Sequence, residues 1–434
     1  MKRLAIVSSY NEGCGNASYT HVLKNAFAEH VEVEVISLDL FLLQKTGSFY
    51  ERFGDAHIDE LAKKIAEFDY VNIQFEAGLY GPTPPIVYRR ICKLITAAKR
   101  LVFTMHRIDP PEINMAQAVW SVARLRLHPR DALRKVRRNY YAALYKDIID
   151  FCGKAARKKP LSIVVHTPRE LRIVRDLYAC SHVFQYPITF LREEERAEVL
   201  RNTDATVFRQ RHHIAEGVKV IGVFGFVSQY KGYETLIQAL AKLPAQYHLY
   251  IFGAQHPQSI GVNVPLDPYF QRLIDLIYKE DKALKKEKLI TLKSLPKKAP
   301  LKTEIIDELK EKLVNRVHFV GALSDADFIE ALRFSDCTVL PYLEVGQSMS
   351  GVISIALEAG ANLFCTNNFS FNEARKMYGN VYHTFDIGNY LELAEKIQIA
   401  SKDFTEAREK AYQKYNIRSN VRKHLEEMGH SVSS

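Results

Sequence analysis

The chain has 434 residues, which exceeds one ordinary domain and predicts two or three. Hydrophobic residues make up 47% and charged residues 25% of the sequence, so disordered and collagen-like classes are excluded. No apolar run approaches the roughly 18 residues that span a bilayer. The first apolar run is also too short for a secretory leader, so a cytoplasmic protein is expected. Six scattered cysteines without a C-x-x-C motif suggest reduced thiols and no metal site.

Positive charge is concentrated in one segment. Basic residues exceed acidic ones by ten, and residues 121–160 contain twelve basic against three acidic residues. Arg130, Arg134, Arg137 and Arg138 recur there near helical spacing. Three interpretations of this segment remain open. It contacts an anionic membrane or a lipid-linked acceptor, it is a plain solvated helix face, or it binds an anionic polymer. No stacking motif of a nucleic-acid-binding protein accompanies the segment, so nucleic acid is not expected.

Apolar runs and helical patterns alternate along the chain and predict an α/β protein with parallel sheets. In the first half, strands are predicted at 4–9, 31–38, 70–74, 101–105 and 161–166, and helices at 18–29, 58–68, 86–98, 131–151 and 169–178. After a charged connection the pattern restarts, with strands at 218–225, 248–253, 317–321, 337–341 and 362–366 and helices at 233–242, 325–334 and 351–359. Two successive sheets predict two domains with a ligand cleft between them.

Three predicted loops carry residues suited to phosphate binding. Residues 13–18 lie between a strand and a helix, but Ser18 stands where a G-x-G-x-x-G motif has its third glycine. Lys231 follows a strand and precedes a helix, a place that suits a phosphate or diphosphate. Residues 346–351 lead into an apolar helix that carries Glu358. Alternatives remain for each loop. The first loop is a dinucleotide site or a simple tight turn, Lys231 is a solvated lysine, and Glu358 is a solvent-facing glutamate.

These features belong to a series of short motifs with a fixed order over about residues 1–370. The motifs are CGNASYT at 14–20, IQFE at 73–76 with Gly78 and Gly81, FTMH at 103–106, GFVSQYKG at 225–232 with Leu236 and Ile237, VHFVG at 317–321, DCTVLPY at 336–342 and SGVISIALEAG at 350–360. Their order and spacing resemble those of retaining glycosyltransferase family 4, the glycosyl transferases group 1. That family contains many bacterial polysaccharide and lipopolysaccharide sugar transferases.

The resemblance implies a GT-B fold, with two Rossmann-like, doubly wound parallel-sheet domains facing a central cleft. Residues 1–205 would form an N-terminal acceptor-side domain, and residues 206–402 a C-terminal nucleotide-sugar-binding domain. A lysine-rich insertion is expected at about 278–312, where eleven lysines accompany seven acidic residues. A C-terminal helix is expected at 403–434, and its return to the N-terminal domain is left open.

The same resemblance implies roles for individual residues. Lys231 would contact the donor diphosphate, Glu358 the ribose hydroxyls, and His106 the donor sugar. Ser350 would join His106 and Lys231 in the catalytic group. The remaining donor contacts would come from Gly15, Asn16, Leu323, Gln347, Ser348, Ser350 and Gly351.

Two departures from the family pattern are visible. Ser350 stands where the family has an acidic residue, eight positions before Glu358. The arginine that often precedes the family's lysine is absent, and residues 226–228 are Phe, Val and Ser. Gln347 and Ser348 are candidates to replace the missing hydrogen-bonding group.

The resemblance implies transfer of a sugar from a nucleotide diphosphate donor to a glycan or lipid-linked acceptor. Anomeric configuration would be retained, without a metal or a further cofactor, in bacterial cell-surface polysaccharide synthesis. The Asp325-Ala326-Asp327 sequence is interpreted as a helix start rather than a metal site. A nucleotide-sugar epimerase of the same fold and a non-catalytic nucleotide-sugar or glycan-binding scaffold are the alternatives. An association with the inner face of the membrane is also open.

Overall fold

The chain forms two compact units, each built on a six-stranded parallel sheet. The computed structural model describes residues 2–13, 15–110, 115–126, 128–255, 260, 263, 266–295, 312–346, 348–400 and 403–431. Unit 1 comprises Met1–Arg192, Gly346–Gly351 and Gln413–Ser434, and unit 2 comprises Glu193–Val345 and Val352–Tyr412.

Unit 1 has the strand order β2-β1-β3-β4-β5-β6. A π-helical turn at Ile173–Leu177 continues its helix α8. The elements are β1 (Arg3–Ser8), α1 (Gly15–Phe27), β2 (Glu32–Ser37), α2 (Leu40–Leu43), α3 (Ser48–Ile65), β3 (Tyr70–Phe75), α4 (Ala77–Tyr80), α5 (Pro84–Ala97), β4 (Leu101–Met105), α6 (Met115–Ala123), α7 (Pro129–Ala156), β5 (Leu161–Val165), α8 (Pro168–Arg172), β6 (Val183–Gln185) and, from the tail, α18 (Ile417–Glu427).

Unit 2 has the strand order β12-β11-β10-β7-β8-β9. Short 3₁₀ turns precede α11 at Gln229–Lys231 and β9 at Leu313–Arg316. The elements are α9 (Glu193–Arg201), α10 (Thr206–Arg211), β7 (Lys219–Phe224), α11 (Tyr233–Leu240), β8 (Tyr247–Phe252), α12 (Pro268–Ser294), β9 (Val317–Phe319), α13 (Asp325–Phe334), β10 (Cys337–Leu340), α14 (Gly351–Glu358), β11 (Leu363–Thr366), α15 (Phe369–Tyr378), β12 (His383–Phe385), α16 (Tyr390–Ile399) and α17 (Thr405–Lys414).

The structure contains all of the predicted strands. They were recognisable because central parallel strands are buried on both faces and form continuous apolar runs. The structure adds two edge strands of three residues, β6 and β12, whose short half-buried sequences carry little pattern. The Asp325-Ala326-Asp327 sequence is a helix start, as predicted. There Ser324 caps α13 by accepting a hydrogen bond from the Asp327 amide.

The structure bears on two further predictions, the C-terminal tail and the lysine-rich segment. The tail at 403–434 is two helices rather than one, because Asn416 adopts an extended conformation and caps α18. The first half of the lysine-rich segment 278–312 continues α12 to Ser294, whereas residues 296–311 lie outside the described residues.

The strand order of each sheet determines where the candidate ligand-binding residues of that unit lie. In unit 2, β7 pairs with both β8 and β10, so the chain leaves β7 and β10 in opposite directions. In unit 1, β1 pairs in the same way with β2 and β3. The carboxyl ends of such strand pairs are the crevices where open parallel sheets bind ligands. Lys231 follows β7, and Gly15 and Asn16 follow β1.

Candidate active site

Lys231 is buried where the chain passes from β7 into α11. Its Nζ donates a hydrogen bond to the Phe224 carbonyl at 2.8 Å and lies 5.6 Å from the centre of the Tyr342 ring. The loop after β10 is bonded to the same turn, since the Leu343 amide donates to the Tyr230 carbonyl at 2.7 Å. The lysine therefore lies at the crevice between the carboxyl ends of β7 and β10.

Glycines make room for this turn. Gly225 has φ +85°, and a Cβ there would lie 2.4 Å from Lys231 Nζ. Gly232 has φ +66°, and its Cβ would lie 2.0 Å from the Pro341 carbonyl oxygen. Any larger residue at either position would displace the lysine or the loop after β10.

Burial lowers the pKa of Lys231 to about 7. The described structure gives its ammonium a carbonyl and an aromatic face but no carboxylate partner. Because a buried ammonium without an anion is costly, an anionic group from outside the protein would restore the charged form. The site is thus suited to a phosphate or diphosphate.

The loop before α14 and the end of that helix hold the next predicted residues. Ser348 and Ser350 are buried, and α14 begins at Gly351 and ends at Glu358, whose side chain is also buried. The charge of Glu358 is the second cause, after burial, of the raised pKa of Tyr412.

Glu358 therefore does not occupy the solvent-facing position that the sequence left open. Two other predicted donor contacts are Leu323 and Gln347. Leu323 is half-buried immediately before the cap of α13, and Gln347 lies outside the described residues.

In unit 1, the loop after β1 is open. Gly15 is the first residue of α1, is exposed, and would have no atom within 4 Å of an added Cβ. Asn16 is half-buried, and its carbonyl accepts a hydrogen bond from Thr20 Oγ1 at 2.7 Å. Packing within the described protein therefore does not require glycine at position 15, which leaves space for a ligand at this helix start.

His106 belongs to a buried chain of polar side chains at the ends of β3, β4 and β5. Its Nε2 lies 2.7 Å from Gln74 Oε1, and its Nδ1 lies 3.2 Å from His166 Nε2. His166 Nδ1 lies 3.0 Å from the Tyr186 carbonyl oxygen, which can only accept. Each ring of the pair thus has one nitrogen beside the other ring and one beside a neighbouring oxygen.

Burial keeps both rings uncharged. It lowers the pKa of His106 well below its usual value, and the nearby His166 adds to the effect. It lowers the pKa of His166 to about 4. His106 is therefore a fixed neutral imidazole, suited to hydrogen bonding rather than to charge.

Glu170 organises the next turn. Its Oε2 accepts hydrogen bonds from the His166 amide at 3.2 Å, the Thr167 amide at 3.1 Å and the Thr167 hydroxyl at 3.0 Å. Burial raises the pKa of Glu170 to about 7, although hydrogen bonds from Ser348, Thr167 and His166 oppose the shift. The contact with Ser348 ties the segment Gly346–Gly351 to unit 1.

The four arginines predicted as one patch do not share one environment. Arg130, Arg134 and Arg137 are exposed on α7, and Arg134 lies 3.4 Å from Asp131. Arg138 is half-buried beside Gly346, where an added Cβ would lie 3.5 Å from its Nη2. Position 138 turns toward the protein at helical spacing, whereas the other three arginines are exposed to solvent.

The roles of Tyr342, His166 and Glu170 were not predictable from the patterns considered above. A usable signal existed for the last two, since His166 ends a predicted strand just as His106 follows one. The following T-x-x-E sequence is a capping box, and both of its hydrogen bonds form. Tyr342 ends the motif DCTVLPY, but no role could be given to it because its contact with Lys231 joins two loops more than 100 residues apart.

Residues 204–418 match the family model described as "Glycosyl transferases group 1". This range includes Lys231 and Glu358. No curated protein matches the sequence of the chain.

Solved structures similar over nearly the whole chain share the fold. Anabaena Alr3699/HepE in complex with UDP has 15% identity and a TM-score of 0.58, over 98% of this chain and 100% of its own. An α,α-trehalose-phosphate synthase (UDP-forming) from Burkholderia xenovorans, in complex with glucose-6-phosphate, has 11% identity and a TM-score of 0.61, over 98% and 100%. WaaG, a glycosyltransferase involved in lipopolysaccharide biosynthesis, has 14% identity and a TM-score of 0.54, over 99% and 100%. The predicted GT-B class, with two Rossmann-like parallel-sheet domains, is confirmed.

Proposed function

Because residues 204–418 match the glycosyl transferases group 1 and the motifs of the chain resemble that family, we propose that it transfers a sugar from a nucleotide diphosphate donor to a glycan or lipid-linked acceptor. The observation that carries this proposal is the buried Lys231 at the switch point of the unit 2 sheet, within the matched range. We propose retention of configuration, independence from metals, and a cytoplasmic role in bacterial cell-surface polysaccharide synthesis. The UDP bound by HepE and the lipopolysaccharide role of WaaG support the donor class and the pathway class.

The chemistry explains why such residues are needed. Breaking the sugar–phosphate bond leaves negative charge on the departing nucleoside diphosphate. Lys231 stabilises that charge as an ammonium, and the amides of Ser350 and Gly351 at the start of α14 add oriented dipoles. Glu358 accepts hydrogen bonds from the ribose hydroxyls. Leu323 contacts the base, and Gln347 and Ser348 are further donor contacts.

Residues of unit 1 complete the proposed assignment. His106 contacts the transferred sugar through its neutral ring, and Gly15 and Asn16 contribute to donor binding. The acceptor attacks on the face from which the diphosphate leaves, and a donor phosphate oxygen takes the acceptor proton. No protein nucleophile takes part, and configuration is retained.

Donor affinity is expected to fall as pH rises above about 7. The pKa of Lys231 without ligand is about 7, so higher pH leaves most of the free protein with a neutral lysine. Binding a diphosphate requires the ammonium, and each pH unit above 7 should raise the apparent Kd by about tenfold until the pKa of the complex is reached. Calorimetric titration with a nucleotide sugar between pH 6 and 9 measures this and detects proton uptake above pH 7. A Kd that is constant across this range would contradict the lysine–diphosphate contact.

The donor and the existence of turnover are tested together. A thermal-shift screen with UDP-, GDP-, dTDP- and ADP-sugars should show stabilisation by one base, by about 2.7 kcal/mol at 100 times its Kd. The stabilising donor is then incubated with the protein and with glycan and lipid-linked acceptors, with and without EDTA. Transfer or slow donor hydrolysis unaffected by EDTA supports the enzyme.

Ser350 favours a second candidate function, that of a nucleotide-sugar-binding scaffold, because it stands where the family has an acidic residue. Tight binding of a donor without transfer or hydrolysis would support the scaffold. Binding of none of these donors would contradict both functions.

A further inference from the structure

The crossover helices of unit 1 begin at one edge of its sheet. The connections from β2 to β3, from β3 to β4 and from β4 to β5 run through α3, α5 and α7, which pack side by side. Right-handed crossovers that progress in one direction lie on one face of the sheet, and each helix runs antiparallel to the strand before it. The first turns of α3 and α7 therefore lie at the carboxyl edge of the sheet. We call this surface the carboxyl rim.

At α2 and α3, the carboxyl rim exposes a group of aromatic rings. Phe49 is 58% exposed, and its ring centre lies 4.6 Å from that of Phe53 and 5.4 Å from that of Tyr50. Phe41 extends the group, with its ring centre 5.8 Å from that of Tyr50. Basic groups flank the rings, since Lys45 lies over Phe41 and Arg52 over Phe53.

At α6 and α7, the carboxyl rim exposes a second apolar group. The sequence of α6 contains no charged residue, and it carries Trp120, which is 56% exposed. Leu125 follows the helix at φ +55° with its side chain 95% exposed, and Leu133 is exposed on α7. Arg124 stacks on Trp120 at 3.1 Å from the ring centre. Large apolar side chains are thus held in water beside cationic groups.

The charge at this end of α7 is strongly one-sided. Residues 115–140 contain seven basic residues and one acidic residue, Asp131. The basic residues are Arg124, Arg126, Arg130, Arg134, Lys135, Arg137 and Arg138. Exposed aromatic and aliphatic groups with a cationic border match the interface of an anionic bilayer, where rings enter the headgroup level and cations attract lipid phosphates. No described helix is long and apolar enough to cross a bilayer, so the contact would be interfacial.

We propose that the carboxyl rim of unit 1 is a docking surface for an anionic lipid bilayer, with Trp120, Leu125 and Phe49 entering the headgroup region. The contact itself stands on the exposed residues and their charge. The further consequence rests on the proposed function. His106 follows β4 at the same edge, so a docked bilayer would present a lipid-linked acceptor near it.

Trp120 provides a direct readout because it is the only tryptophan in the sequence. The full chain is mixed with vesicles of phosphatidylcholine alone or of phosphatidylcholine with phosphatidylglycerol. Sedimentation measures binding, and brominated lipid tests contact with Trp120. We expect sedimentation, a shift of emission to shorter wavelength and quenching with the anionic vesicles only.

Variants at the two ends of α7 provide a matched charge test. Arg130→Gln with Arg137→Gln removes two charges at the carboxyl rim and should weaken binding by about 30-fold, since each basic residue near an anionic surface is worth about 1 kcal/mol. Arg157→Gln with Lys158→Gln removes two charges at the other end of the same 28-residue helix. The two pairs lie roughly 30 Å or more apart, several Debye lengths, so this control should change binding by less than about twofold.

Apolar variants test whether both groups belong to one surface. Trp120→Ser and Phe49→Ser should each reduce sedimentation several-fold. Leu177→Ser should not, because Leu177 is 58% exposed at the opposite edge of the sheet, where the chain leaves α8 toward β6. Circular dichroism confirms that each variant is folded.

Other outcomes would overturn the proposal. They are equal binding to both vesicle types, unchanged Trp120 emission, equal loss in the two charge pairs, or no effect of Phe49→Ser. Binding to single-stranded DNA or RNA but not to vesicles would also overturn it and would favour a polyanion. Donor binding, measured by thermal shift on the same preparation, separates these outcomes from a failure of the proposed function.

Discussion

Replacing Lys231 with methionine is expected to lower kcat/KM for sugar transfer by about 100- to 1,000-fold, the usual loss when one buried group that stabilises developing charge is removed. The lysine is the cation buried at the carboxyl ends of β7 and β10. Methionine keeps the length of the side chain but cannot stabilise the departing diphosphate. The measurement is the initial rate with the donor identified by thermal shift.

Two controls accompany this prediction, the melting temperature of the variant and the activity of a second lysine variant. Burial already disfavours the ammonium, so Lys231→Met should leave the melting temperature unchanged or raise it at pH 7. Lys219 lies at the exposed start of the same strand, and Lys219→Met should keep the activity within about twofold. Full activity in Lys231→Met would show that the diphosphate binds elsewhere.

Replacing Arg90 with methionine is expected to destabilise unit 1 by about 3 kcal/mol or more, because its partners would remain without a donor. Arg90 is 1% exposed and donates to Asp55 Oδ1 at 2.7 Å. It also donates to the carbonyls of Tyr80 at 2.9 Å, Glu51 at 3.2 Å and Leu43 at 3.3 Å. One side chain thus joins α2, α3 and α4 to α5. Urea denaturation followed by circular dichroism measures the loss, which should lower the melting temperature by roughly 10 °C.

The neighbouring arginine is the control. Arg89 pairs with the same aspartate, with Nη2 2.5 Å from Asp55 Oδ2, but its side chain is largely exposed. Exposed ion pairs contribute about 0–1 kcal/mol, so Arg89→Met should have a small effect. Equal losses in the two variants would show that the buried carbonyl contacts of Arg90 contribute little.

Secondary structure was predictable where burial acts on consecutive residues. The central strands, such as β3 and β4, are apolar throughout because both faces are covered. The edge strands β6 and β12 and the helix α15 were not predicted, since short or half-exposed elements leave a weak periodic pattern. The break at Asn416 was also missed, although a polar residue that caps a helix is a recognisable signal.

The candidate site was predictable to the extent that parallel strands align their carboxyl ends. Lys231, His106 and Gly15 follow strands, and the structure places all three at such ends. Their surroundings were not predictable. The contact between Arg138 and the segment at Gly346 depends on two parts of the chain about 200 residues apart.

By itself, the sequence determined the alternation of strands and helices, the order of the motifs, and hence the two parallel sheets and the resemblance to the glycosyl transferases group 1. These properties depend on side-chain pattern and local spacing, which the chain carries in linear order. Only the tertiary structure decided that Lys231 is buried beneath Tyr342, that the rings of His106 and His166 meet, and that Phe49 and Trp120 share one rim. Each depends on how closely remote segments approach and how much water they exclude, and those quantities exist only when the chain is folded.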